Sequence, residues 1–210
     1  MAHQSFYNLT PERQEQIRTA CVAEFASLGY SKASTNTMCR EAGISKGLLF
    51  HYFGTKKELF LYLVDHLVEI LLEEFYQGIN QEREDLFERM LKWSLRRLEL
   101  ARKYPLYYRF NVKMFIEPDA VVRPEINEII ARLTQEGYNK LLDNIDYSSF
   151  RPGVDITKAI EALTYVLNGI GEKYLERFRV DEDYQLKRGD AMLKEIHEYM
   201  DILRYGFYTK

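Results

Sequence analysis

Cysteine is nearly absent from this chain: Cys21 and Cys39 are the two in 210 residues. Two thiols make no disulfide framework. Proline and glycine are also few, 5 and 11, which argues against a loop-rich all-β fold. Long apolar runs are missing. The longest candidate for a membrane span, residues 59–72, is interrupted by Asp65, His66 and Glu69, so no membrane helix is expected. The opening MAHQSFYN lacks the basic-then-apolar order of a secretion signal. Enzyme signatures are missing too. There is no nucleophile elbow, phosphate-binding loop or dinucleotide fingerprint, nor the repeated Glu-x-x-His of a di-iron bundle. No catalytic residue, cofactor or metal is expected. His197 with Asp201, and Asp65 and His66 with Glu69, come nearest to a ligand set. Neither joins a Cys or His cluster of metal spacing, and a solvated face or a core histidine accounts for them better. These absences fit a cytoplasmic protein that is not an enzyme.

What is present is apolar and helical. Hydrophobic residues make up 46% of the chain, enough for a sizeable core. The net charge of −3 is unevenly spread. Between Leu28 and Lys57 five basic residues (Lys32, Arg40, Lys46, Lys56, Lys57) face one acid, Glu41. That stretch is therefore +4, and the rest of the chain −7. A basic segment on an acidic body suggests a local phosphate-binding face.

Helix signals run along the whole length. Thr10-Pro11 is a start signal, Ile17, Cys21, Phe25 and Leu28 share one face, and Gly29 is the expected end. A short helix is expected over about 35–41, stopping at Gly43. Ser45 caps another, with Leu49 and Phe53 on one side. Thr55-Lys56-Lys57-Glu58 is a capping box that opens a long helix. Beyond it, helices are expected over about 81–103, 105–117, 124–145, 156–178 and 184–207, with Pro105, Pro118, Pro124 and Pro152 at the breaks. The fold class is all-α with about nine helices. Residues 1–54 are expected to form a helix-turn-helix domain, and 55–210 a second helical domain.

Two short helices joined by Ala42-Gly43-Ile44-Ser45 form a helix-turn-helix pattern. Gly43 suits the left-handed turn position, Ile44 is an apolar plug, and the second helix would enter a major groove. The stretch Gly29 to Phe60, GYSKASTNTMCREAGISKGLLFHYFGTKKELF, resembles the DNA-binding domain of the tetracycline-repressor (TetR) family. The resemblance rests on Gly29-Tyr30, Ser34-Thr35, Ala42 to Gly47, His51-Tyr52-Phe53 and Lys56 to Leu59. It implies a DNA-binding regulator, a repressor released from a palindromic operator by a small-molecule effector and acting as a homodimer. Three features depart from the family pattern. Phe50 stands where a DNA-contacting tyrosine is frequent, Leu48 where a small residue is, and Met38-Cys39 replaces an Ile-Ala pair.

Chemistry and resemblance together give candidate DNA contacts. Ser34 and Thr35 open one helix, where hydroxyls and N–H groups bind phosphate. Ser45, Lys46, Gly47 and Leu48 begin the next. Lys46 can reach a guanine edge or a phosphate, Gly47 lets the backbone come close, and Leu48 and Phe50 offer apolar base contacts. His51, Tyr52 and Lys56 can donate to phosphate. In the second domain aromatics are abundant. Trp93, Tyr107, Phe110, Phe115, Tyr138 and Tyr165, with His66 and Asn168 as polar groups, are candidates for an effector cavity; ordinary core is the equal alternative. Gly169 and Gly171 mark either a close helix approach at a dimer interface or a pocket. Ile196, Met200, Leu203 and Phe207 offer an apolar seam for the partner. The rival reading is a helical scaffold that binds a protein rather than DNA.

Overall fold

The computed structural model describes residues 2–77, 83–116, 118–178, 181 and 184–209, apart from the side chains at 115, 116, 178, 185 and 186. Ten helices lie among them: α1 (Gln4–Tyr7), α2 (Pro11–Lys32), α3 (Thr35–Ala42), α4 (Lys46–Phe53), α5 (Lys56–Tyr76), α6 (Leu86–Lys103), α7 (Pro105–Ile116), α8 (Arg123–Leu142), α9 (Ile156–Phe178) and α10 (Tyr184–Phe207). Two strands of two residues, β1 (Glu84–Asp85) and β2 (Ile145–Asp146), pair in parallel. The class is all-α, with α1 added to the helices expected.

Local chemistry sets most boundaries. The Thr10 side chain accepts from the Arg13 N–H and Pro11 takes the first helical position, where a missing N–H costs nothing. Gly29 breaks the helical geometry (φ 70°, ψ 176°), yet the helix resumes and ends at Lys32 rather than stopping there. The helix expected from about 81 begins at Leu86. The Asp85 carboxylate accepts from the N–H groups of Phe87 (2.9 Å) and Glu88 (3.2 Å) and so caps it. Residues 81 and 82 lie outside the described residues. α8 stops at Leu142, short of 145, and the chain turns left-handed at Asn144 (φ 53°) into β2.

The chain divides into two units, each made of two segments. The first unit holds the chain up to Tyr76 together with Tyr104–Leu133. Its core includes Phe6, Ile17, Cys21, Phe25, Met38, Leu49, Leu59, Leu63, Phe110 and Ile126, all almost fully buried. α2 is its centre, packed on α3, α5 and α7. The second unit holds the segment ending at Lys103 and the chain from Thr134 onward. Its core joins Leu86, Phe87 and Met90 of α6 with Leu163 and Ile170 of α9 and Ile196 and Met200 of α10. Arg89 is buried there. Its Nε donates to Glu84 (2.7 Å), and its Nη1 donates to the carbonyls of Leu141 (3.2 Å) and Asp143 at the end of α8. The apolar seam of α10 does not face outward as expected. Ile196 (4% exposed) and Met200 (1%) fill the unit's own core, because α10 packs along α9 and α6. The exposed face of α10 carries Tyr199, Ile202 and Tyr205 instead.

Candidate nucleic-acid interface

α3 and α4 meet through a tight turn. Gly43 is left-handed (φ 63°, ψ 40°) and its N–H donates to the Arg40 carbonyl at 3.2 Å. A side chain at that φ would be strained, which is why glycine stands there. Arg13 of α2 donates to the Gly43 carbonyl at 2.8 Å and ties the turn to the first long helix. Ile44 is half-buried against the core. α4 buries Leu49, Tyr52 and Phe53, and Ser45, Lys46, Gly47, Leu48 and His51 are left exposed. A single turn-and-a-half of helix thus presents one cation, one imidazole, a backbone without a side chain and one apolar group.

The hydroxyls at the helix starts are engaged as acceptors. Ser34 Oγ accepts from Thr37 N (3.4 Å) and Ser45 Oγ from Leu48 N (3.2 Å). A serine hydroxyl has a proton to give as well, so capping leaves a donor for an incoming phosphate. Ser34 N donates to Glu24 at 2.8 Å. Thr35 is half-buried at the first position of α3. Lys46 holds its ammonium 5.9 Å from the Phe50 ring centroid, a cation over an aromatic face that a tyrosine would also offer; the departure from tyrosine removes only the hydroxyl.

Lys56 and Lys57 are less available than their charges suggest. Lys56 donates to the Ser31 carbonyl (3.2 Å) and lies 5.0 Å from the Tyr30 ring centroid. Burial pushes its pKa down, opposed by Asp119 and Glu24. One of its three N–H donors is used, so two remain. Lys57 pairs with Glu125 of α8 at 2.7 Å. Thr55 and Glu58 form the reciprocal capping box at the start of α5: Thr55 N donates to Glu58 (2.8 Å), and Glu58 N donates to Thr55 Oγ1 (3.1 Å).

The segment before Thr10 was not legible as part of this head. α1 lies against the end of α4. His3 N donates to the Tyr52 carbonyl at 2.7 Å, and Phe6 is fully buried among Tyr52, Phe53 and Tyr62, with centroids 5.7, 4.8 and 5.6 Å away. The available signal was a bulky apolar Phe6 just upstream of a helix start.

The eight effector candidates are divided between the units. His66, Tyr107 and Phe110 belong to the first; Trp93, Tyr138, Tyr165 and Asn168 belong to the second. The side chain of Phe115 lies outside the described residues. Phe110 is core, against Phe25 and Phe60. Tyr138 (42%), Tyr165 (71%) and Asn168 are exposed, and Trp93 is half-buried. The fold sets His66 and Tyr107 side by side, with centroids 6.4 Å apart. His66 Nε2 is buried with no hydrogen-bond partner among the described residues. The Tyr107 hydroxyl donates to Glu15 at 3.3 Å, and burial holds its pKa well above the usual range.

α2, α3 and α4, joined by this turn, form a helix-turn-helix reading head, the architecture of a DNA-binding protein. A family model described as bacterial regulatory proteins, tetR family, matches residues 17–63. An uncharacterized HTH-type transcriptional regulator of Lactococcus lactis subsp. lactis is 32% identical over 142 residues, 66% of this chain and 70% of its own length. An HTH-type transcriptional repressor of Mycobacterium tuberculosis is 31% identical over 98 residues, 43% of this chain and 50% of its own length; the chain spans half of that relative. The crystal structure of a TetR family transcriptional regulator from Chloroflexus aurantiacus aligns over 100% of both chains, with 25% identity and a TM-score of 0.63. The chain belongs to the tetR family of bacterial regulatory proteins and is a DNA-binding transcriptional regulator. No helix among the described residues is long and apolar enough to cross a membrane.

Proposed function

We propose that the protein is a transcriptional repressor that binds a palindromic duplex operator as a homodimer and is released by a small-molecule effector. The observation that carries this reading is the exposed face of α4, where Lys46, Gly47, Leu48 and His51 stand clear of a fully buried opposite side. Lys46 reaches a guanine edge or a phosphate, Leu48 and Phe50 contact base methyls, and Ser34, Thr35, Ser45, His51 and Lys56 position the backbone; Tyr52, 8% exposed and packed on Phe6, belongs to the core side. Repression is favoured by the name of the mycobacterial relative. A DNA target implies a cytoplasmic location.

Dimerisation is supported by the exposed apolar face of the second unit. Tyr165 of α9 (71% exposed), Ile202 (67%) and Tyr205 (72%) of α10 lie on two helices that pack together. A Cβ added at Gly169 or Gly206 would meet nothing within 4 Å, so space beside both helices is open to a partner. Two heads must then sit about 34–36 Å apart, or a multiple of it, to read both half-sites. Domain roles follow: reading by residues 1–54, effector response and dimerisation by 55–210. For the effector, His66 and Tyr107 are the polar pair of choice within the first unit.

The test is selection of bound duplexes from random sequence, followed by binding of Lys46→Ala to the enriched site. The enriched site should be an inverted repeat, and Lys46→Ala should bind it more weakly. The plot of log affinity against log salt should flatten by about 0.9 for each phosphate that the variant no longer neutralises. Enrichment of no duplex, or unchanged binding and slope in the variant, overturns the reading.

A further inference from the structure

Outside the helix-turn-helix proper, the first residues of the chain carry an arrangement that neither the family match nor the sequence pattern covers, since the match begins at residue 17. Four observations converge on His3. First, the segment is fixed: Phe6 is fully buried, Arg18 lies 5.9 Å from its ring centroid, and the His3 N–H is bonded to the last turn of α4. Second, the His3 ring lies beside that of His51 with centroids 5.1 Å apart, and both residues are exposed. Third, His3 Nδ1 accepts from the Ser5 N–H at 3.3 Å and lies 3.0 Å from Ser5 Oγ. An imidazole whose Nδ1 accepts carries its proton on Nε2, so the ring keeps an N–H donor for a group outside the chain. Fourth, the ring is exposed, so its free edge faces solvent.

We propose that His3 is a further DNA-backbone contact, its Nε2–H donating to the phosphate next to the one that His51 serves. The inference rests on α4 being the helix that reads DNA. Two exposed imidazoles side by side at the end of α4 offer two donors to one strand of the backbone. The contact positions and does not read sequence. It extends the head beyond the helix-turn-helix to a strand running past the end of α4. Phe6 acts as the anchor, fixing the backbone at His3 before DNA arrives, which lowers the ordering cost of binding.

The test uses the full chain and the duplex enriched by the wild-type protein. His3→Ala should weaken binding by roughly threefold to tenfold per half-site, the loss of one hydrogen bond. Phosphate-ethylation interference should lose one position per half-site. His3→Gln, which keeps an N–H donor, should restore part of both. The melting midpoint of His3→Ala should fall by no more than the loss of its cap on the Ser5 N–H accounts for. Wild-type affinity with an unchanged interference pattern in His3→Ala overturns the proposal. So does a weaker complex that keeps every interference position and melts earlier, since that marks a purely structural arm. Lys46→Ala serves as the control. If it and His3→Ala both bind like wild type, the α4 reading itself fails; if Lys46→Ala alone is impaired, only the His3 contact does.

Discussion

Gly47 is a glycine that the fold does not require. It sits in a helix, and an added Cβ would make ordinary contact with Ser45 Oγ at 3.8 Å. Glycine in mid-helix costs roughly 0.5–1 kcal/mol against alanine, which is an upper bound for Gly47 in the first turn of α4. Gly47→Ala is therefore expected to raise stability by at most that amount in urea titrations while lowering affinity for the selected duplex; tighter binding by the variant would count against close backbone approach. His66 is different in kind. Burial, helped by the charge of Arg18, holds its pKa below the ordinary value, against the pull of Glu15 and Glu69. A histidine kept neutral in the fold contributes stability above its unfolded pKa of about 6.5, and that contribution is lost as pH falls. His66→Phe should accordingly show a shallower fall in melting midpoint between neutral pH and about pH 5 than wild type. Parallel curves would place the acid sensitivity elsewhere.

Among the elements, the short second-unit pieces depend on Arg89. It is 3% exposed and joins β1, α6 and the end of α8 through one carboxylate and backbone carbonyls. Removing one partner of a buried ion pair costs about 3–5 kcal/mol. Arg89→Leu should lower unfolding free energy by that order in denaturant titrations, and Arg89→Lys should recover little of it, because an ammonium lacks the planar fork that serves several oxygens at once. A loss below about 1 kcal/mol would show that the capped end of α8 does not depend on it. Nothing in the sequence announced this arginine, whose carbonyl partners lie far along the chain at Leu141 and Asp143. Several local signals were legible: Thr10, Ser45 and the Thr55–Glu58 box all cap helices in the structure, whereas the helix runs past the stop expected at Gly29. Patterns that needed a neighbour's identity were not. The period of α10 gave an apolar stripe, but whether Ile196 and Met200 met their own unit or a partner depended on where α9 and α6 lay. The reading head was legible because its turn, caps and plug are contiguous. α1 was missed because its anchor Phe6 acts only with Tyr52, Phe53 and Tyr62 around it.

At the scale of the whole molecule, pairing of two chains is expected to fail when the exposed stripe on α9 and α10 is charged or blocked. Ile202→Glu and Gly169→Leu should each sediment as monomers with helix content nearly unchanged, and should lose operator binding; a dimer in both variants would remove this face from consideration. The division of the chain has a consequence of another sort. The unit that contains the reading head is completed by Tyr104–Leu133, and Phe110 and Ile126 from that stretch are almost fully buried in its core. The head is therefore no detachable cassette. A chimera that grafts only the helix-turn-helix onto a relative would inherit a foreign lining for Phe25 and Phe60. Recombination within the family would keep a working head only where the incoming piece brought compatible residues from both distant stretches, so operator preference and the sequence of α7 are expected to travel together.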